Sequence, residues 1–307
     1  MSSPPTSYED ISFEDIELLA DRGHWPELLH LYRSPDLTAG SLRRFTGHVL
    51  VLEAPVEIAA AVVESQADDE RGYSGPAWEV IGQRPWAEVS QHLRPQRIRH
   101  LVACTRAMFG EDLSQDTSLD PIAFGVPFVL QPWEFEHWEF DVSMSGYGRR
   151  SFAGGAFSAL PMVSPVELPV ADPTPVDHPA VPLLNEICGW AAAHAFRGTA
   201  WEAATVASAR TTKTGAEVAF DVVYPELVQY GSGESAYGWN RGKAIGRLAA
   251  WRALAAMAGA ANSVNALVER LRCVTWEEHD DEIWYLHVAM EDPAQGITWT
   301  LSGQTFD

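Results

Sequence analysis

Between Pro161 and Pro182 the chain places seven prolines in 22 residues, and no other feature restricts its folding as strongly. Proline lacks a backbone N–H and fixes φ, so this stretch neither propagates a helix nor donates within a sheet interior. It is predicted to be a linker or an extended strap, residues 161–182, between stretches of different character. Residues 1–113 read as a helical region and 114–160 as a strand-rich segment. Residues 183–307 read as an α+β region ending in a β-hairpin.

The helical front rests on local signals. Ser12 and Asp15 fit a capping box, Ile16, Leu19 and Ala20 form an apolar stripe, and Gly23 supplies a left-handed stop, which predicts a helix over 13–22. Pro26 opens a helix over 27–33, and others are predicted over 56–66, 86–93 and 96–109. From 122 to 160 hydrophobic and aromatic residues alternate with polar ones and glycines cluster, which favours strand and turn. Beyond the prolines the pattern predicts a helix over 183–196, strands around 203–209 and 217–223, a glycine-rich loop over 231–238 and a helix over 241–258. Residues 283–290 and 297–302 read as a hairpin, with Trp284, Leu286, Val288 and Met290 on one face and Tyr285 and His287 on the other. Regular βα alternation is missing. The expected class is therefore α+β, a helical N-terminal third followed by a mixed, mostly antiparallel sheet with packed helices.

A 46% hydrophobic and 21% charged composition excludes a disordered chain, and the formal charge of −21 opposes binding to nucleic acid or to an anionic membrane. Cys104, Cys188 and Cys273 form no C-x-x-C pair, so buried reduced thiols are expected. The longest apolar run, over 248–261, is 14 residues against the ~20 that cross a bilayer, and the start lacks a signal-peptide pattern. A cytoplasmic protein follows as the expectation. Two lysines among 21 basic residues, with abundant alanine and glycine, suggest a GC-rich bacterial genome.

Two local features could carry chemistry. From Ser235 to Val268 there is no acidic residue, while Arg241, Lys243, Arg247 and Arg252 give +4 inside this acidic chain. Asn240 is a candidate N-cap, and the positive end of the following helix favours an anion. Lys243 and Arg247, four apart, share a helix face and repel unless a negative group lies between them. Arg149 and Arg150 could complete an anion site if the fold brings them close. The alternative is that the chain's own 42 carboxylates satisfy these bases.

The second feature is the segment 133–141, where His137 and Glu139 share one face of a predicted strand. With His287 from the terminal hairpin they would make a two-histidine, one-carboxylate metal site. A partly solvated strand explains the same residues. The acidic cluster around His279 would favour an imidazolium, although a solvated turn is the simpler reading. Trp133, Trp138, Trp239 and Trp299 stand beside polar residues and could line a pocket or an interface.

The phosphate motifs fail: residues 238–244 miss the P-loop spacing and its Ser or Thr, and residues 231–236 match G-x-G-x-x-[GA] without the helix start or the later acid. No cofactor is identified, and no G-x-S-x-G elbow is present.

The stretch Gly242-Lys-Ala-Ile-Gly-Arg-Leu-Ala-Ala-Trp-Arg-Ala-Leu-Ala, with Trp284-Tyr285-Leu286 and Glu291-Asp292-Pro293-Ala294-Gln295-Gly296-Ile297-Thr298-Trp299, resembles a family of actinobacterial proteins known as a domain of unknown function. The resemblance covers roughly the last 70 residues. It implies a bacterial, cytoplasmic protein and supplies no family active site. Two function classes remain as expectations. One is a binding or accessory protein for an anionic small molecule or a protein partner. The other is an enzyme, acting through a metal at His137 and Glu139 or on an anionic metabolite held by Arg241, Lys243 and Arg247.

Overall fold

A computed structural model of the chain describes residues 11–35, 40–66, 76–135, 148–150, 160–209, 213–233, 241–278 and 284–305. The front is helical: α1 (Phe13–Asp21), α2 (Trp25–Arg33), α3 (Gly40–Glu53), α4 (Val56–Ser65), α5 (Ala77–Ile81), α6 (Trp86–Val89) and α7 (Gln96–Met108). The Ser12–Asp15 box starts α1, with Asp15 N donating to Ser12 Oγ at 3.2 Å and Ser12 N donating to Asp15 Oδ2 at 3.0 Å. Gly23 then takes φ +68°, as its stop role requires.

Sequence pattern does not foresee α3. Its Gly47 and its Val49-Leu50-Val51 run argue locally against a helix, but the whole stretch from Phe45 to Val51 is buried and packing decides. A Cβ at Gly47 would lie 2.6 Å from Gln66 Nε2 and 3.0 Å from the Tyr32 ring, so the glycine lets α3 lie close to its neighbours.

Residues 121–135, where alternation predicts strand, instead hold the single turns α8 (Pro121–Phe124) and α9 (Pro132–Phe135). Each begins on a proline, and Asp120 caps α8 by accepting from Ala123 N at 2.9 Å. The rest of that segment, 136–147 and 151–159, lies outside the described residues.

The proline-rich segment acts as a strap. It supplies β1 (Val166–Glu167) and β2 (Thr174–Pro175), two-residue strands at opposite edges of the sheet. After it come α10 (Ala180–Ile187), β3 (Ala191–Arg197), α11 (Ala200–Ala207), β4 (Thr214–Val218), α12 (Phe220–Gly231), α13 (Lys243–Ala258), α14 (Val264–Val268), β5 (Arg272–Trp276), β6 (Trp284–Asp292) and β7 (Ile297–Thr305). The strand order is β1-β4-β5-β6-β7-β3-β2, with every pair antiparallel, and the fold is α+β.

Three local expectations change here. The helix predicted over 183–196 ends at Ile187, and the alanine-rich stretch after it becomes β3, paired along its length with β7. Gly303 makes that possible, because a Cβ there would lie 2.5 Å from Ala191 Cα. The strand predicted at 203–209 is helix α11, started by a Thr199–Glu202 capping box. The strand predicted at 217–223 ends at Val218, where α12 takes over.

The sheet buries both faces. Leu286, Val288, Met290, Trp299 and Leu301 join a core that runs back to Ile16 in α1, whereas Ala289, Val274 and Trp276 pack under α11 with Leu168 of the strap. The hairpin thus splits its side chains as strand alternation requires. Among the described residues no helix is long and apolar enough to cross a membrane.

Candidate anion-binding cleft

The acid-free stretch becomes α13, which crosses α12 at backbone contact. A Cβ on Gly246 would lie 1.9 Å from Val228 O, so only glycine fits that crossing. Gly242 precedes the helix at φ +97°, and Asn240 lies outside the described residues.

The chain's own carboxylates meet several of the candidate bases. At the positive end of α13, Lys243 N donates to Glu79 Oε1 at 3.1 Å, and Lys243 itself is buried. The anion that the dipole favours there is therefore Glu79. Arg149 donates to Glu53 and to Asp21 of the front helices, at 2.6 and 2.7 Å, and Arg150 donates to Glu17 and Glu14 at 2.8 and 3.2 Å. These pairs raise both guanidinium pKa values, chiefly through hydrogen bonds to Glu53 and Glu17.

Arg247 is the most fully engaged. Its Nε and Nη2 donate to Glu134 Oε1 and Oε2, both at 2.8 Å, and Nη2 also donates to Val129 O at 3.1 Å. Nη1 donates to Pro127 O at 2.9 Å and meets Cys104 Sγ at 3.6 Å, so all five N–H groups have partners. Glu134 also accepts from Tyr224 Oη at 2.6 Å, Trp251 Nε1 at 3.0 Å and Gln131 N at 2.8 Å. Burial opposes both charges. The ion pair nevertheless wins, holding the Glu134 carboxyl below and the Arg247 guanidinium well above their ordinary pKa values. Burial, reinforced by the Glu134 charge, drives the Tyr224 phenol well up, so it stays a donor. Among the described residues the two sequence features thus meet through Glu134 and Arg247.

Arg241 and Arg252 are placed differently. Both line an open cleft of about 710 Å³ between α7, α8, α10 and α13. The Arg241 guanidinium donates to Gly231 O at 3.2 Å, Arg252 is exposed, and no carboxylate among the described residues forms an ion pair with either. Gln96 and Arg97 enter the same cleft from the first turn of α7, which follows Pro95 and contains no acid. Arg97, Arg241 and Arg252 share the lining with one acid among the described residues, Glu186. Leu101, Phe124, Leu183, Ile245 and Leu248 form the apolar part.

His100 also stands in the wall. Asp120 N donates to its Nε2 at 3.4 Å, which puts the ring proton on Nδ1, and burial lowers its pKa so that the ring is neutral. Its ring packs against Phe124 and Phe128 at 5.2 and 5.5 Å. Sequence reasoning singled out neither Arg97 nor His100. The available signal was a basic, acid-free helix start, Gln96-Arg97-Ile98-Arg99-His100, directly after a proline.

The metal candidates do not come together among the described residues. His137 and Glu139 lie outside them, and His287 is buried on β6, stacked on Trp276, with Nδ1 and Ser302 Oγ 2.9 Å apart. No group of three His, Cys, Asp or Glu side chains among the described residues is placed to hold a metal ion. Of the acidic cluster, Glu278 accepts from Ala209 N at 3.0 Å and from Trp276 Nε1 at 2.8 Å, while His279 lies outside the described residues. Trp133 turns inward, donating to Asn265 Oδ1 at 2.9 Å and packing against Trp251 and Tyr224.

No curated protein and no solved structure gives a significant match to the chain. Residues 191–294, from β3 to the turn that follows β6, match the model of a family described as "Family of unknown function (DUF6183)", so the stretch from β3 through β6 is similar to an uncharacterised domain family.

Proposed function

We propose that the chain is a cytoplasmic bacterial binding protein that holds an anionic small molecule in the cleft between α7 and α13. The observation that carries this reading is the convergence of Arg97, Arg241 and Arg252 on one open cavity in a strongly acidic protein. Guanidinium groups present fork-shaped donors to carboxylate and phosphate oxygens, and the low dielectric of an apolar wall strengthens that attraction. The volume is that of small-molecule sites, ~300–1,000 Å³. Of the arginines that sequence pattern singled out as anion ligands, the site uses Arg241, while Arg149, Arg150 and Arg247 hold internal ion pairs.

Thermal unfolding at constant ionic strength with added phosphate, pyrophosphate and citrate tests the proposal. A ligand at about 100 times its Kd stabilises a folded protein by about 2.7 kcal/mol, which raises Tm by a few degrees. The rise is expected for wild type and should vanish in Arg241→Gln/Arg252→Gln. An unchanged Tm with every anion rejects the reading.

A further inference from the structure

Resting on that reading, we infer that the cleft takes an acidic α-amino acid, its carboxylates accepting from Arg241, Arg252 and His100 and its ammonium meeting Glu186. The buried part of the wall comes first. His100 lines the cleft at 5% exposure, and its Nε2 is occupied as the acceptor for Asp120 N. Its Nδ1–H has no partner among the described residues. A buried donor left unpaired costs free energy that an acceptor oxygen recovers, so this N–H suits a ligand oxygen. Packing against Phe124 and Phe128 fixes the ring before a ligand arrives, which removes the cost of ordering it.

The charges narrow the ligand. Arg241 and Arg252 form no ion pair among the described residues, and neither does Glu186 of α10, although all three line one cleft. Arg97 already has a partner and adds no uncommitted charge. Two guanidinium groups and one carboxylate, held apart rather than paired, are complementary to two anionic groups and one cation. An acidic amino acid carries that set at neutral pH, a net −1 against the +1 of these three side chains. A dicarboxylate without the ammonium leaves Glu186 facing like charge, and an amino acid with one carboxylate leaves an arginine unmatched.

Isothermal titration of the full chain, at one pH and ionic strength, compares glutamate with glutarate and aspartate with succinate, with inorganic phosphate as a further probe. The diacids carry the greater negative charge, so without a contact to Glu186 they bind the more tightly. The expected order is the reverse: at least one amino acid binds about threefold or more tightly than its diacid, the worth of a solvent-accessible ion pair. In Glu186→Gln, an exposed position, that order should invert, and His100→Phe should weaken the preferred amino acid about tenfold. Diacids that bind as tightly as the amino acids, or a preference that survives Glu186→Gln, overturn this inference and leave the anion-site reading intact. Binding of phosphate alone does the same, and an unchanged affinity in His100→Phe overturns the donor assigned to that ring. Absence of binding by every probe overturns both readings.

Discussion

Replacing Glu134 by glutamine removes one charge and changes almost no volume, which makes it a clean probe of the buried network. Each carboxylate oxygen is committed: Oε1 accepts from Tyr224, Arg247 and Trp251, and Oε2 accepts from Arg247 Nη2 and Gln131 N, both at 2.8 Å. If the glutamine carbonyl takes the Oε1 place, its NH₂ faces two donors. The flipped amide faces three. Either way the Arg247 guanidinium, 1% exposed, loses its counter-charge. Breaking a buried pair by removing one partner costs about 3–5 kcal/mol, a large share of a net stability of about 5–15 kcal/mol. With a urea m-value near 3 kcal/mol/M, the unfolding midpoint should fall by about 1–1.7 M. Arg247→Met removes the other charge. The double variant should be less destabilised than the sum of the two single changes by about 2 kcal/mol, the coupling of residues in direct contact. A loss below about 1 kcal/mol for Glu134→Gln, the worth of a surface pair, together with additive singles, would refute this reasoning.

Gly246→Ala puts a methyl group 1.9 Å from Val228 O, a backbone atom that cannot yield, so a loss above about 4 kcal/mol or no folded protein is expected. Gly189→Ala, with nothing within 4 Å, should change stability by less than about 0.5 kcal/mol in the same urea titration. Arg150→Gln, at a solvent-exposed pair with Glu17 and Glu14, should leave the urea midpoint unchanged within error. Burial lowers the pKa values of His48, His100 and His178 below 6.5, so the unfolded chain binds more protons and stability falls as pH drops through and below that value. Glu134, Asp116 and Asp292, whose carboxyl pKa values are lowered in the fold, add a second loss as pH falls through and below about 4. Calorimetry from pH 8 to pH 2 should show Tm declining in that order, and a flat Tm between pH 7.5 and 5.5 would contradict the histidine assignment.

Local chemistry was the legible part of the fold. The Ser12–Asp15 box, the Gly23 stop and the hairpin faces all follow from neighbours within a few residues, and the structure carries each of them. Thr199 and Glu202 carry the same capping signature, and the alanines after them also favour helix, so the strand predicted over 203–209 set aside a readable local signal. The stretch from Ala191 to Arg197 could not be read locally at all. Its alanines favour helix, and it becomes a strand because β7 offers a full ladder and Gly303 admits it.

The same divide governs the site. The acid-free stretch shows in the sequence as an excess of positive charge, but the partners of that charge are remote: Glu134 is 113 residues from Arg247, and Glu79 is 164 from Lys243. Only the fold determines that Arg247 turns inward while Arg241 and Arg252 face a cavity that Arg97 joins from α7. A charge run reports the presence of cations. Whether the chain neutralises them itself depends on tertiary contacts that sequence spacing does not encode.

The most direct measurement follows the arginine Nε–H resonances of ¹⁵N-labelled protein, assigned by single substitutions, through a phosphate titration. The account predicts that the Arg97, Arg241 and Arg252 signals shift together along one saturating curve while the Arg247 signal stays fixed and protected from exchange. Signals that all stay fixed, or an Arg247 signal that moves with the same curve, would contradict it.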